Sequence, residues 1–270
     1  MQIFVITGAS DGIGAEIARQ LAAAHGAETG IVLAARNRDK LESVATQCRA
    51  SGAQTLVWIT DVSEEAQCRA LIEQAMAQFG RIDALINNAG VSAQALFADV
   101  KAEDLHWYEK LMKVNLWGAV WCTHAALPHL KASKGSIVAV SSLAGLVGVP
   151  GRTAYSATKF AMTGFFEALR AELKVAGVSV TTAFPGIVAT RIRHRGYNAQ
   201  GEPAGASGLQ EDNAMSVEEC ARLIIHGMNE RKREVVMTAK GKLGRFAKLL
   251  APGMVENMAL AALKEDVRPH

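Results

Sequence analysis

The chain has 270 residues, 50% of them hydrophobic and 20% charged, with a formal net charge of +3. That apolar fraction supports one sizeable core, and the near-balanced charge leaves no footprint for nucleic acid. Four scattered cysteines without a CxxC pair, and seven histidines without an HxH or HExxH arrangement, argue against disulfides and against a metal site.

The first residues enter an apolar strand (3–6) at once, with no basic leader, and no apolar run reaches a membrane span. A soluble, cytoplasmic protein is the expectation. Next comes Thr7-Gly8-Ala9-Ser10-Asp11-Gly12-Ile13-Gly14, then an amphipathic run to His25. Strand, glycine-rich turn and helix in that order form a dinucleotide-binding unit. Gly8 permits the tight turn, Gly12 lets backbone approach a pyrophosphate, Gly14 lets the helix lie close to the strand, and the helix N-terminus faces the phosphates.

A second strand (30–35) ends in Leu33-Ala34-Ala35-Arg36-Asn37-Arg38. An NAD site needs an acid about 20 residues past the glycine turn to hold the ribose 2′-hydroxyl. None is there, and Arg36 stands where a guanidinium would pair with a 2′-phosphate, so NADP is favoured over NAD. Asp11, an acid inside the phosphate turn, points mildly the other way. The alternative for Arg36 is a solvated residue at the next helix start.

A third strand (54–60) leads to Asp61-Val62. Asp61 suits either the adenine amino group or a cap on the helix at 63–79. A fourth strand (81–86) runs into Asn87-Asn88-Ala89-Gly90, whose amides can tie the sheet together beneath a nucleotide. One long helix is expected over 107–131. It contains Asn115, which either distorts it locally or is a tolerated polar residue.

The fifth strand (136–140) leads through Ser141-Ser142 to a helix over 153–175 that carries Tyr155 and Lys159. Four residues apart on a helix, the two share a face. A phenol beside a fixed ammonium ion loses its proton more easily and can exchange one with a substrate oxygen. An ordinary surface pair is the alternative. Ser142, not Ser141, is the hydroxyl expected on the same side. After a strand at 179–184 comes Pro185-Gly186-Ile187-Val188-Ala189-Thr190. Residues 191–214 then lose periodicity, as a substrate loop or lid does. Arg191, Arg193, His194 and Arg195 make its start basic, which suits a solvated charge run or an anionic head group. A helix (216–228), a short strand (235–237) and an amphipathic extension (240–270) complete the chain. The extension's basic and apolar side chains suit its own domain, a partner subunit or anionic lipid.

Together, Thr7-Gly8-x3-Gly12-x-Gly14, Asn87-Asn88-Ala89-Gly90, Asn115, Ser142, Tyr155-x3-Lys159 and Pro185-Gly186 resemble the short-chain dehydrogenase/reductase family over about residues 1–190. The C-terminal part resembles its 11β-hydroxysteroid dehydrogenase and acyl/alkyl-dihydroxyacetone-phosphate reductase branch. The resemblance implies a single Rossmann-type α/β domain with about seven parallel strands and helices on both faces. It implies an oxidoreductase moving hydride between NADP(H), or NAD(H), and a fairly apolar ketone or secondary alcohol. Tyr155 would be the general acid/base, Ser142 would polarise the carbonyl, and Lys159 would bind the nicotinamide ribose and ease ionisation of the tyrosine. Asn115 would position a relay water. Gly8, Ser10, Gly12, Ile13, Gly14, Arg36, Asp61, Val62, Asn88, Ala89, Gly90, Pro185, Gly186, Val188 and Thr190 would contact the cofactor, alongside Tyr155 and Lys159. A homodimer or homotetramer is implied through the two long helices. A non-catalytic dinucleotide sensor is the reading from another class, and the intact tetrad speaks against it.

Overall fold

A computed structural model describes residues 1–264. Seven strands, β1 (Gln2–Thr7), β2 (Thr29–Ala35), β3 (Gln54–Ile59), β4 (Ala84–Asn87), β5 (Ser136–Val140), β6 (Ser179–Phe184) and β7 (Glu234–Val236), form one parallel sheet in the order 3-2-1-4-5-6-7. Helices cover both faces, so the inner strands are apolar on both sides and read as unbroken hydrophobic runs. Alternate residues go to opposite layers. Phe4 and Ile6 of β1 pack with α1 (Gly12–His25), α2 (Arg38–Ala50) and α7 (Val217–Asn229). Val5 packs with α3 (Glu65–Phe79), α5 (Gly118–Ser133) and α6 (Thr153–Leu173). The strand order reverses between β1 and β4, and the crevice beyond their C-terminal ends is the ligand position in such sheets.

Several boundaries differ from the sequence reading. β4 starts at Ala84, because Asp83 accepts the Ile3 N–H (2.8 Å) and pairs with Arg81, which makes 81–83 a turn. α3 starts at Glu65, because Asp61 takes the N–H and hydroxyl of Ser63 (3.0 and 2.7 Å) and holds 61–63 in a turn. The single helix expected over 107–131 is three pieces: α4 (His106–Met112), a π-helical turn (Lys113–Trp117) and α5. Asn115 lies inside the π turn. The extension forms α8 (Ala239–Leu250) and α9 (Pro252–Ala261), separated where Pro252 starts the second helix. Residues 265–270 of the expected extension lie outside the described residues. All four cysteines are free and buried, and burial holds the Cys48 and Cys220 thiols up at about 11 and about 12. Among the described residues no helix is long and apolar enough to cross a membrane.

Candidate active site

The glycine turn is shaped by packing from beneath. Gly8 has φ +67°, and a side chain there would meet Ala89 Cα at 2.8 Å. A Cβ on Gly14 would lie 2.4 Å from Asn88 Nδ2 and 2.5 Å from Gly8 O. Asn88 Nδ2 donates to the carbonyls of Thr7 (3.0 Å) and Gly8 (3.2 Å), and Thr7 Oγ1 accepts the N–H groups of Asn88 and Ala89. The tetrapeptide after β4 therefore clamps the turn after β1, and Gly14 serves this clamp instead of facing the ligand space. Asp11 caps α1 by accepting the Gly12 N–H at 2.8 Å and pairs with Arg195 (2.9 Å) and Lys40 (3.5 Å). Desolvation raises its carboxyl, but Gly12, Arg195 and Lys40 outweigh that and hold it below the usual range.

A cleft of about 1420 Å³ opens above this turn and runs across the C-terminal strand ends to α6. Of the expected catalytic and cofactor-contact positions, all but Gly14 and Asn115 line it. The turn end offers the N-terminus of α1 beside its Asp11 cap, glycine backbone and Arg36 at the rim, 72% exposed and 3.9 Å from Asp61. These features fit a dinucleotide with its phosphates on the turn.

At the other end Tyr155 and Lys159 are buried, at 8% and 3% exposure, on the face of α6 turned to the cleft. Lys159 Nζ donates to Val140 O (2.9 Å) and lies 5.8 Å from the Tyr155 ring centroid. Burial pushes its ammonium down, Tyr155 draws it back up, and Arg152 pushes it down again. Ser142 Oγ accepts the Ala144 N–H at 3.2 Å, which leaves its own proton free to donate into the cleft. Ser141 instead bonds back to Lys159 O and Thr163. Asn115 sits behind the wall, with its amide taken up by the Val91 N–H (2.8 Å), Val91 O (2.9 Å) and Thr158 Oγ1 (3.0 Å).

The basic start of the 191–214 loop is not simply solvated. Arg193 is buried, ion-paired with Glu211 and bonded to Val188 O (2.9 Å). Arg195 reaches across to Asp11. Tyr197 exchanges backbone bonds with Ser92 and Gln94 and joins the loop to the cleft wall. Sequence reasoning missed Arg152, a buried guanidinium 4.2 Å from the Tyr155 ring centroid. Its one visible signal was an arginine three positions before the tyrosine.

A family model described as short chain dehydrogenase matches residues 2–200. The 11-beta-hydroxysteroid dehydrogenase 1A of Arabidopsis thaliana is 32% identical over 262 residues, covering 94% of this chain and 73% of that protein. The 11-beta-hydroxysteroid dehydrogenase-like 4A of the same plant is 36% identical over 232 residues, covering 84% and 73%. An alcohol dehydrogenase from the archaeon Thermococcus sibiricus, solved with 5-hydroxy-NADP, has the same fold at a TM-score of 0.72 and 24% identity, covering 87% of this chain and 94% of that one. A putative short-chain alcohol dehydrogenase from Sinorhizobium meliloti superposes with a TM-score of 0.65 at 29% identity, covering 71% and 74%. With the family model spanning most of the chain and relatives above 30% identity matched over 73% of their length, the chain belongs to the short-chain dehydrogenase family and is an alcohol/carbonyl oxidoreductase that uses NAD(P).

Proposed function

We propose that the protein is an NADP(H)-dependent oxidoreductase interconverting a ketone and a secondary alcohol, with Tyr155 as general acid/base. The observation that carries this reading is that the buried Tyr155–Lys159 pair and Ser142 line the same cleft as the glycine turn. Bound nicotinamide supplies or takes up the hydride. In the reducing direction negative charge grows on the carbonyl oxygen, where Ser142 Oγ donates a hydrogen bond and Tyr155 delivers the proton. Lys159, held by Val140 O, places positive charge beside the phenol and would hold the nicotinamide ribose of a bound cofactor. Because its side-chain amide is fully engaged, Asn115 has only its backbone carbonyl to offer a relay water. The backbone around it is wound as a π turn, a form frequent at functional sites.

The preference for NADP rests on Arg36 at the rim and on the absence of an acid at the end of β2. The T. sibiricus alcohol dehydrogenase, solved with an NADP derivative, adds support. NADPH should bind more tightly than NADH, and Arg36→Ala should weaken NADPH binding by about tenfold or more while leaving NADH unchanged. Equal affinities in the parent protein would defeat the preference.

The loop at 191–214 is the substrate loop in this reading, since Arg193, Tyr197 and Leu209 line the cleft. Two surfaces extend it to partners. Trp117, 46% exposed and stacked on Trp121 at the start of α5, supports a homo-oligomer through that helix. α8 turns its polar side inward, with Arg245 on Glu234 and Lys248 at Leu146 O, and exposes Leu243, Phe246, Leu249 and Leu250. With Lys240 and Lys242 alongside, that face suits an anionic membrane surface.

A further inference from the structure

The proposed chemistry leaves Arg152 without a role, yet few charged groups in the chain are more enclosed. It precedes α6, with Nε donating to Ala93 O (3.3 Å), Nη2 donating to Ser92 Oγ (2.5 Å) and the guanidinium over the Tyr155 ring. A buried cation is costly unless an anion or strong hydrogen bonds meet it. Among the described residues no carboxylate bonds to Arg152. Glu211, the acid of this region, is held by Arg193. Burial pushes the Arg152 guanidinium down, Tyr155 draws it up, and Arg193 lowers it further.

The groups that face Tyr155 can be named element by element. Its own helix supplies Lys159. The loop after β6 supplies Tyr197, and its Arg193, paired with Glu211, lines the same cleft. The segment around α4 supplies Trp107, Leu111 and Tyr108, whose hydroxyl shares a hydrogen bond with Thr153. The segment after β4 supplies Val91, Ala93 and Ala95. Two cations, Arg152 and Lys159, therefore flank the phenol, and among the described residues no carboxylate bonds to either. Nε and Nη2 form one edge with which an arginine clasps a carboxylate, and both are already engaged. Arg152 also lines the cleft, and these two bonds fix its guanidinium over the Tyr155 ring.

The geometry points to Arg152 as a positioning residue for Tyr155, a second fixed cation that favours the ionised phenol and holds the ring in place. This rests on Tyr155 being the acid/base, and its test is independent of turnover. The chain has three tyrosines, Tyr108, Tyr155 and Tyr197. In a Tyr108→Phe/Tyr197→Phe background the near-ultraviolet tyrosinate band reports Tyr155 alone, and adding Tyr155→Phe must erase it. Arg152→Gln and Arg152→His are both neutral where phenols titrate, and each should move the band about one pH unit higher, the size of effect an opposite charge at this range produces. The acid limb of the kcat/KM profile should move the same way. Arg152→Lys, which keeps the charge, should hold the band within about half of that shift. An unmoved band in either folded neutral variant would overturn the proposal, and so would a full-sized shift in Arg152→Lys. Undiminished turnover in Tyr155→Phe would instead remove the acid/base reading, while the effect of Arg152 on the band would be judged separately.

Discussion

Glu211 and Arg193 show how single side chains anchor the long loop. Arg193 is buried and Glu211 is half-buried, so replacing the carboxylate by an amide leaves an enclosed guanidinium that has lost its counter-charge. Glu211→Gln should lower stability at neutral pH by about 1–3 kcal/mol. The hydrogen bond from Arg193 outweighs desolvation and holds the Glu211 carboxyl below its ordinary range. A carboxyl depressed in the folded state contributes stability above its unfolded value and loses it as pH falls through the folded value. Denaturant melts of the parent protein should therefore lose this increment below about pH 4.5, and Glu211→Gln should show no such loss; parallel pH dependence in both would refute the pairing. The shared helix face of Tyr155 and Lys159 was legible in the sequence because helical spacing alone sets it, whereas Ser142 was legible only through its place in the motif series. Arg152 was not, because its burial depends on Ser92 and Ala93, 60 and 59 positions away.

Among the elements, those with both faces buried were the easiest to read. β1, β2, β5 and β6 came out within one residue of expectation, since an apolar run ending at glycine or a polar turn has few alternatives. The interrupted α4–α5 helix was half legible: Asn115 marked the place of a distortion, but a π turn depends on Asn115 closing onto Val91 and Thr158. α8 was legible as amphipathic but not in orientation, because sequence assigns no direction to a helix with two useful faces. Its exposed apolar side gives a prediction. Leu249 and Leu250 are 80% and 89% exposed, so Leu249→Ser/Leu250→Ser leaves the fold intact. Co-sedimentation with vesicles containing phosphatidylserine should fall by roughly tenfold or more in that variant. Equal sedimentation of variant and parent would remove the lipid role.

At the scale of the whole molecule, the cleft lies beyond the strand ends where the strand order reverses. The turn after β1 and the clamp after β4 hold one end of the cleft, and β5 and α6 hold the other. That architecture was legible from five motifs in order, whereas the path of residues 191–214 was not. Arg195 to Asp11 and Tyr197 to the 92–94 backbone are long-range contacts without local periodicity. The central claim is that Tyr155 exchanges the proton while hydride moves in this cleft. The most direct test is Tyr155→Phe, assayed with NADPH against a panel of steroid, aliphatic and aromatic ketones, with NADPH binding measured alongside. Turnover should fall by about 10²- to 10⁴-fold with cofactor affinity largely retained; turnover equal to the parent's would contradict the account.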